Sequence, residues 1–524
     1  MAAFAEGFLV RTKGPSAAVA ALLAVSAVVA QNAKPPQQPP QKPADADLSS
    51  PAPRDPGRFD PKRPIEQELR TTVRDGFTFG AVGDCIISRP LSQYADRDEA
   101  FAAILKVLSQ STTLYGNMET SILDIRYFKG YPFSWAGDWT LRAEPGVARD
   151  LFKMGFRVMS RANNHAEDWG IEGLRETSQW LDEAGIVHAG AGEDLGLARM
   201  ARYFESSKGR VAIVSMASTF RPESAALEPF GATPGRPGIS GLHLRQIAVV
   251  PPDVMTALAK MQPQLITLHE ERPAKPDPKA PAGPPKALSM LGQEFELGDK
   301  AQYRYEMDQT DLADILRAIR LGKEHSDFLV ATIHAHECST CDFPALPAAF
   351  LKDLSHAAIR AGADAFAATG IHHLGPIEVY EGRPVFYGLA NFFWSDIQEP
   401  LPQDLYQRNG EKLGRAFQFP GRATDADLSN VLNVGGFSND ETFETIIAQS
   451  RFEHGRLAEL RIYPVDLGYG LKLTESGIPR LASAEKGLKI LQRLQKLSAP
   501  YGTTIEIEDS PEFHKVGVIR VPAQ

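Results

Sequence analysis

Asp84, Asn117 with Glu119, the run Asn163-Asn164-His165, His334 with His336 and Glu337, and the pair His372-His373 are the residues of this chain whose types could do chemistry together. Carboxylates, amide oxygens and imidazoles gathered in one place suit hard or borderline divalent ions such as Mn, Mg, Fe or Zn. One or two such ions polarise a scissile bond and bring the pKa of a bound water toward neutrality. Taken singly, a histidine near a strand end is more often a structural hydrogen-bonder than a ligand. Five such sets in equivalent positions carry more weight.

The positions are equivalent because each set follows an apolar run that reads as a strand. Phe77 to Val82 ends in Gly83-Asp84, and Thr113 to Tyr115 ends in Gly116-Asn117-Met118-Glu119. Phe156 to Met159 leads to the Asn-Asn-His turn, and a helical stretch follows from Glu172 to Ala184. Phe328 to Ile333 ends in His334-Ala335-His336-Glu337, and Ala365 to Ala368 ends in Gly370-Ile371-His372-His373. Helical patterns separate them, at Asp98 to Leu108, Asp311 to Arg320 and Ala348 to Ala361. Alternation of this kind argues for a wound α/β architecture. Ligands of such sheets bind in the crevice beyond the carboxyl ends of the strands. A local alternative exists for Asn163 and Asn164, which could cap the turn and the helix start. Neither a phosphate-binding Gly-rich loop nor a Gly-x-Ser-x-Gly elbow competes with the cluster.

The 524 residues leave room for more than one domain, and an apolar fraction of 43% beside 23% charged residues is that of an ordinary globular chain. A net charge of −9 without a Lys/Arg block argues against nucleic acid as a partner. Arg11 and Lys13 precede the apolar run Ala17 to Ala30, short for a membrane span but of secretory length, so residues 1–30 are expected to be a signal peptide, with an uncleaved anchor as the rival. Residues 31–69, rich in Pro and Gln, read as an extended linker. The main domain is expected over 70–400 with an insertion at 251–300 that includes a Pro/Lys-rich stretch, and 401–524 as an extension completing it. Of three cysteines, Cys338 and Cys341 have spacing for a local disulfide, preferred over a half zinc site, and Cys85 is left over. The protein is expected to be secreted, periplasmic or otherwise associated with the cell envelope.

In order and spacing, several motifs resemble those of the CapA or PGA_cap family, named for bacterial capsule and poly-γ-glutamate synthesis. They are Gly83-Asp84, Gly116-Asn-Met-Glu119, Ala162-Asn-Asn-His165 through Asp168-x-Gly-x-x-Gly173, Ala184-Gly-Ile-x-His-x-Gly-Ala-Gly192, and the run from Gly375 to Phe393. The resemblance covers roughly Phe77 to Phe393. It implies a calcineurin-like metallophosphatase fold, a two-sheet α/β sandwich flanked by helices with metal at the strand ends. It also implies metal ligation by Asp84, Asn117, Glu119, Asn164, His334 and His372, with His165 as acid or charge stabiliser. His336, Glu337 and His373 are secondary candidates, and Arg161 is a candidate for holding a substrate carboxylate or phosphate.

Four positions depart from the phosphoesterase pattern. Asp84-Cys85-Ile86 replaces an Asp-x-His start, Asn117 stands where a bridging Asp is usual, Gly370-Ile371-His372 lacks one histidine, and His334-Ala335-His336 replaces a His-Trp-Gly. Fewer anionic ligands mean weaker metal affinity. The functions implied are a metal-dependent hydrolase of amide or phosphoester bonds acting on an anionic extracellular polymer, or a non-catalytic accessory that associates with membrane synthesis or export proteins. A phosphoesterase acting on nucleotides or phospholipids is a third reading.

Overall fold

The computed structural model describes residues 71–133, 140–265, 283–338, 347–398, 400–408, 423–429 and 439–521. The expected signal segment, the linker, Cys341 and most of the Pro/Lys-rich stretch lie outside the described residues.

The chain opens with parallel strands β1 (Phe77–Ile87), β2 (Thr113–Met118), β3 (Phe156–Ser160) and the short β4 (Val187–Ala189). Helices α1 (Glu99–Leu108), α2 (Gly146–Lys153) and α3 (Gly170–Ala184) lie between them in sequence. The chain then crosses to a second sheet, built from β5 (Arg202–Ser206), β6 (Gly209–Ala217), β7 (Phe328–His334), β8 (Ala365–Thr369), β9 (Ile377–Tyr380) and β10 (Arg383–Phe386). Helix α4 (Gln309–Glu324) enters β7, and α5 (Phe350–Arg360) enters β8. It returns through β11 (Asn391–Ser395) and finishes the first sheet with β12 (Glu444–Glu453), β13 (Arg456–Asp466), β14 (Glu506–Ser510) and β15 (His514–Arg520). Helix α6 (Ala484–Ser498) precedes the last two. The expected two-sheet sandwich flanked by helices is the fold of this protein.

Strand alternation makes the layers. Phe77, Phe79 and Ala81 of β1 share a buried cluster with Val211 and Ile213 of β6 and with Phe328 and Val330 of β7, so this face lies between the sheets. Leu329, Ala331 and Ile333, the alternate residues of β7, pack instead on α4 and α5 through Ile315, Ile319, Leu351 and Leu354. On the far side of the first sheet, Phe101, Ile104, Val147 and Leu151 of α1 and α2 cover Val82 and Leu114. At the centre Phe328 meets Phe77, Phe79 and Phe452 with ring centroids 4.9, 5.3 and 5.0 Å away. Truncating one such ring to Ala costs about 3–5 kcal/mol.

Strand β1 positions the site by changing partner along its length. Its first half pairs antiparallel with β12, from Phe77 to Ala81, and its second half pairs parallel with β11, from Asp84 onward. The changeover needs Gly83, because a Cβ there would fall 1.8 Å from the carbonyl oxygen of Ala390. A side chain of any size would force β11 away.

Between β6 and β7 the chain builds a separate four-stranded sheet from Leu244–Val250, Ala287–Met290, Gln293–Leu297 and Gln302–Met307. It starts ahead of the expected insertion and ends beyond it. Arg245, Glu294, Arg304 and Glu306 form an exposed charge ladder on one face. Leu244, Gln246, Tyr303 and Tyr305 line a cavity on the other.

Candidate metal centre

All five expected sets converge at one end of the sandwich, because β1, β2 and β3 run parallel in one sheet and β6, β7 and β8 in the other. In the first sheet Ser160, Asn117, Asp84 and Asn391 are register partners across four adjacent strands. In the second, His334 is the register partner of Thr369. Asp84 joins the sheets: its Oδ2 accepts the backbone N–H of Gly370 at 3.1 Å, and its Oδ1 lies 3.6 Å from His334 Nδ1.

The ligand-capable atoms of Glu119, His334 and His336 lie within 4.8 Å of one another, and so do those of Asp84, Glu119 and His372. Glu119 belongs to both sets, the position of a shared carboxylate. Nε2 of His334 and Nε2 of His336 are 3.0 Å apart, and Glu119 Oε1 is 3.7 Å from the first. His372 Nδ1 lies 2.8 Å from Asn391 Oδ1 and 3.6 Å from Asp84 Oδ2. An N–H donated to Asn391 fixes the tautomer and leaves Nε2 as the lone-pair nitrogen, the usual support of a metal-ligating histidine.

His372 has φ of +55° and Ala390, next to Asn391, +57°. Two non-glycine residues in the left-handed region cost about 1–3 kcal/mol each. They stand where the two sheets hand their loops to the cluster.

The electrostatics fit a cation. Burial raises the Asp84 carboxyl, but the hydrogen bond and charge of His334, with His372 and Asn117, outweigh it and hold the group below its ordinary value. Burial, then the neighbouring charges of His334, His372 and His165, press His336 well below the usual histidine range. Burial also lowers His372, against the pull of Asp84 and Asn391. A carboxylate kept ionised beside imidazoles kept neutral is the donor set a divalent ion requires. In the turn before His165, Asn164 has a buried Oδ1 with no hydrogen-bond partner among the described residues.

Asn117 and Asn163 act differently. Asn117 Oδ1 accepts from Ser160 Oγ at 2.8 Å and from Asn163 Nδ2 at 3.3 Å, which turns its Nδ2 toward Asp84 Oδ1 at 2.8 Å. It presents a donor to the centre, not a ligand oxygen. Asn163 ties the turn down, giving Nδ2 to the Met118 carbonyl and accepting the His165 backbone N–H. The capping alternative holds for the turn at Asn163 but not for the helix start, where Trp169 is the N-cap without a side-chain cap bond.

His165 stands at the rim with Nδ1 2.7 Å from Asp168 Oδ2 and Nε2 3.9 Å from Glu119 Oε1. Asp168 was legible only as part of a motif; the signal was its place three residues after the histidine, ahead of Gly170 and Gly173. Asn391 and Thr369 carried no signal of their own.

Other candidates lie off the centre. The Arg161 guanidinium is buried against α3, near Ser178 Oγ and the Leu174 carbonyl at 3.4 Å each, and burial brings it down to about 10. Glu337 turns its carboxylate to Ser218 Oγ and Thr219 Oγ1, at 2.6 and 2.9 Å. His373 is buried but belongs to neither ligand-capable set. Cys85 is a buried free thiol, pushed well up by burial and by the charges of Asp84 and Glu119; the expected partner of Cys338 is outside the described residues. Among the described residues no helix is long and apolar enough to cross a membrane.

Comparison with known proteins places the cluster within a family match. Residues 78–395, which span every candidate ligand, match the family model described as "Bacterial capsule synthesis protein PGA_cap". An uncharacterized protein of Sinorhizobium fredii, y4sH, is 41% identical over 470 residues, covering 88% of this chain and 97% of its own. The PGA biosynthesis protein CapA of Bacillus subtilis is 22% identical over 351 residues, 66% of this chain and 71% of its own. A probable polyglutamine synthesis accessory protein of Mycobacterium tuberculosis is 25% identical over 251 residues, 48% of each chain. With its metal-capable cluster inside the matched region, this chain belongs to the bacterial capsule synthesis protein family PGA_cap.

Proposed function

We propose that this protein is a metal-dependent hydrolase that cleaves amide or phosphoester bonds in a capsule-type or poly-γ-glutamate polymer outside the cytoplasm. The observation that carries the reading is the two ligand-capable sets sharing Glu119, beside a histidine held by a carboxylate. Asp84, Glu119, His334, His336 and His372, with Asn164 Oδ1, are the groups to hold one or two Mn, Fe, Zn or Mg ions. When bound, the metal supplies Lewis-acid polarisation of the scissile carbonyl or phosphoryl group.

The chain supplies the rest. Asp168 orients the His165 ring so that Nε2 faces the cluster, and its negative charge favours the imidazolium, the form in which Nε2 carries a proton for the leaving group. Asn117 steadies the Asp84 carboxylate with a hydrogen bond, and Arg161 supports the turn from beneath α3.

The second reading is an accessory that binds polymer, or membrane synthesis and export proteins, without turnover. Asn117 favours it. At that position an amide brings no charge, so two carboxylates, Asp84 and Glu119, face four imidazoles.

Metal analysis of the full chain after reconstitution with Mn, Zn or Fe, beside an Asn164→Ala variant, tests the choice. Near-stoichiometric metal that falls in the variant, with metal-dependent turnover in γ-glutamyl or phosphoester libraries, supports the hydrolase. Failure to bind any of the ions leaves the accessory reading.

A further inference from the structure

At His336 the separate sheet and the loop after β6 line an open cavity of about 390 Å³. Phe220, Tyr303 and Tyr305 give it aromatic walls, and Glu337 gives it a carboxylate. Among the described residues no lysine or arginine lines it. The aromatic wall follows from strand register: Tyr305 pairs with Gln246 and Tyr303 with Ala248, so both rings project to the same face as Leu244 and Gln246, away from the charge ladder. Tyr303 and Tyr305 lie 6.4 Å apart, and Tyr305 is anchored on Phe350 of α5 at 6.0 Å. Phe220 is set edge-on against His243 at 5.2 Å, and His243 is in turn fixed by Asp311.

Glu337 is an acidic residue beside the metal centre that belongs to neither ligand-capable set. Ser218 and Thr219, which line the cavity with it, each donate to one of its two oxygens, and each oxygen keeps a further lone pair. Its charge reaches the aromatic wall: burial, then Glu337, raise the Tyr305 phenol. A carboxylate among aromatic faces, with no lysine or arginine among the described lining residues, repels anions and attracts a cation.

We propose that this cavity is a binding site for an ammonium group, and that it receives the amine-bearing end of the substrate next to the metal centre. An anionic stretch of the same molecule is excluded from it by Glu337. The ammonium site stands on the cavity alone; that its occupant is a substrate rests on the hydrolase reading.

Titration of the full chain with tetramethylammonium chloride, followed by saturation-transfer NMR against tert-butanol at matched ionic strength, tests it. Tetramethylammonium neither coordinates metal nor donates a conventional hydrogen bond, so it reports the aromatic and acidic walls. Saturable binding of the cation and not of the alcohol is expected, weakened at least about fivefold in Tyr303→Ala and in Glu337→Gln. Tyr303 is 42% exposed, so its truncation leaves the core intact. Absence of saturable binding, or binding unchanged in Glu337→Gln, overturns the proposal. Asn164→Ala keeps the cation site while it tests the metal centre, so the failure of one reading is distinguishable from the failure of the other.

Discussion

Asp168 Oδ2 lies 2.7 Å from His165 Nδ1, and the same oxygen takes the backbone N–H of Leu141, also at 2.7 Å. The second bond fixes the carboxylate, and the carboxylate fixes the imidazole. His165 is therefore held in one tautomer with Nε2 toward Glu119, an arrangement suited to moving a proton and costly to reorient.

Asp168→Asn keeps the shape and an oxygen for Leu141 N–H and His165 Nδ1, and removes the charge that favours the imidazolium. If His165 serves as the acid, turnover falls by about 10²–10⁴-fold while metal content stays at the wild-type level. Parallel metal analysis and rate measurement check this. Loss of metal together with activity would move His165 from the acid role to the ligand set.

His336 was a secondary candidate in the sequence and stands inside a ligand-capable set in the structure. His336→Ala removes a nitrogen from the set that holds Glu119 and His334, and metal affinity is expected to drop at least about 100-fold, beyond the loss typical of outer-shell changes. His373→Ala, outside both sets, is expected to lower metal affinity much less than His336→Ala. Competition with a chelator of known affinity separates the two.

The strand ends were legible because an apolar run that stops at a polar, ligand-type residue marks both a buried strand and the end from which a side chain can reach a crevice. Asp84, Glu119, His334 and His372 were each read from that pattern. The sheet spanning Leu244 to Met307 was not, because its strands carry Arg245, Glu294, Arg304 and Glu306 on one face and lack a continuous apolar face on the other. Amphipathic strands of this kind resemble solvated loop until their partners are known. Strand β11 was hidden for another reason: Asn391 to Ser395 makes its hydrogen bonds to β1, more than 300 residues earlier in the chain, and nothing local announces them. Asn117 shows the limit at the level of one side chain. Its residue type permits ligation, and only the bonds from Ser160 and Asn163 reveal that its donor faces Asp84.

Gly83 tests the path from fold to site. Gly83→Ala places a Cβ 1.8 Å from the Ala390 carbonyl oxygen, the acceptor of the Asp84 backbone N–H at 2.9 Å. Backbone oxygen cannot swing aside as a side chain would, so β1 and β11 must separate and Asp84 must move with them. A loss of more than about 3 kcal/mol in chemical denaturation is expected, with weakened metal binding in whatever fraction remains folded. A variant of wild-type stability would mean that the changeover along β1 is more yielding than its register implies.

Asp396 contributes a pH dependence to stability. Burial raises its carboxyl to about 7 from an ordinary 3.8, against the hydrogen bond from Gln398 and the charges of His165 and Arg142. Between those two values the folded protein holds a proton that the unfolded chain has released, so stability falls as pH rises through the interval. The full difference amounts to roughly 4 kcal/mol above pH 7 by linkage. Asp396→Asn imitates the protonated form and keeps an oxygen for Gln398 Nε2, which lies 2.6 Å from Oδ1. The variant should therefore be more stable than wild type at pH 8, by a few kcal/mol, and the gain should shrink steadily toward pH 4. Urea denaturation at four pH values gives the slope directly. A gain independent of pH, or a loss at pH 8, would show that Asp396 is ionised in the folded protein and paired with Arg142 or His165.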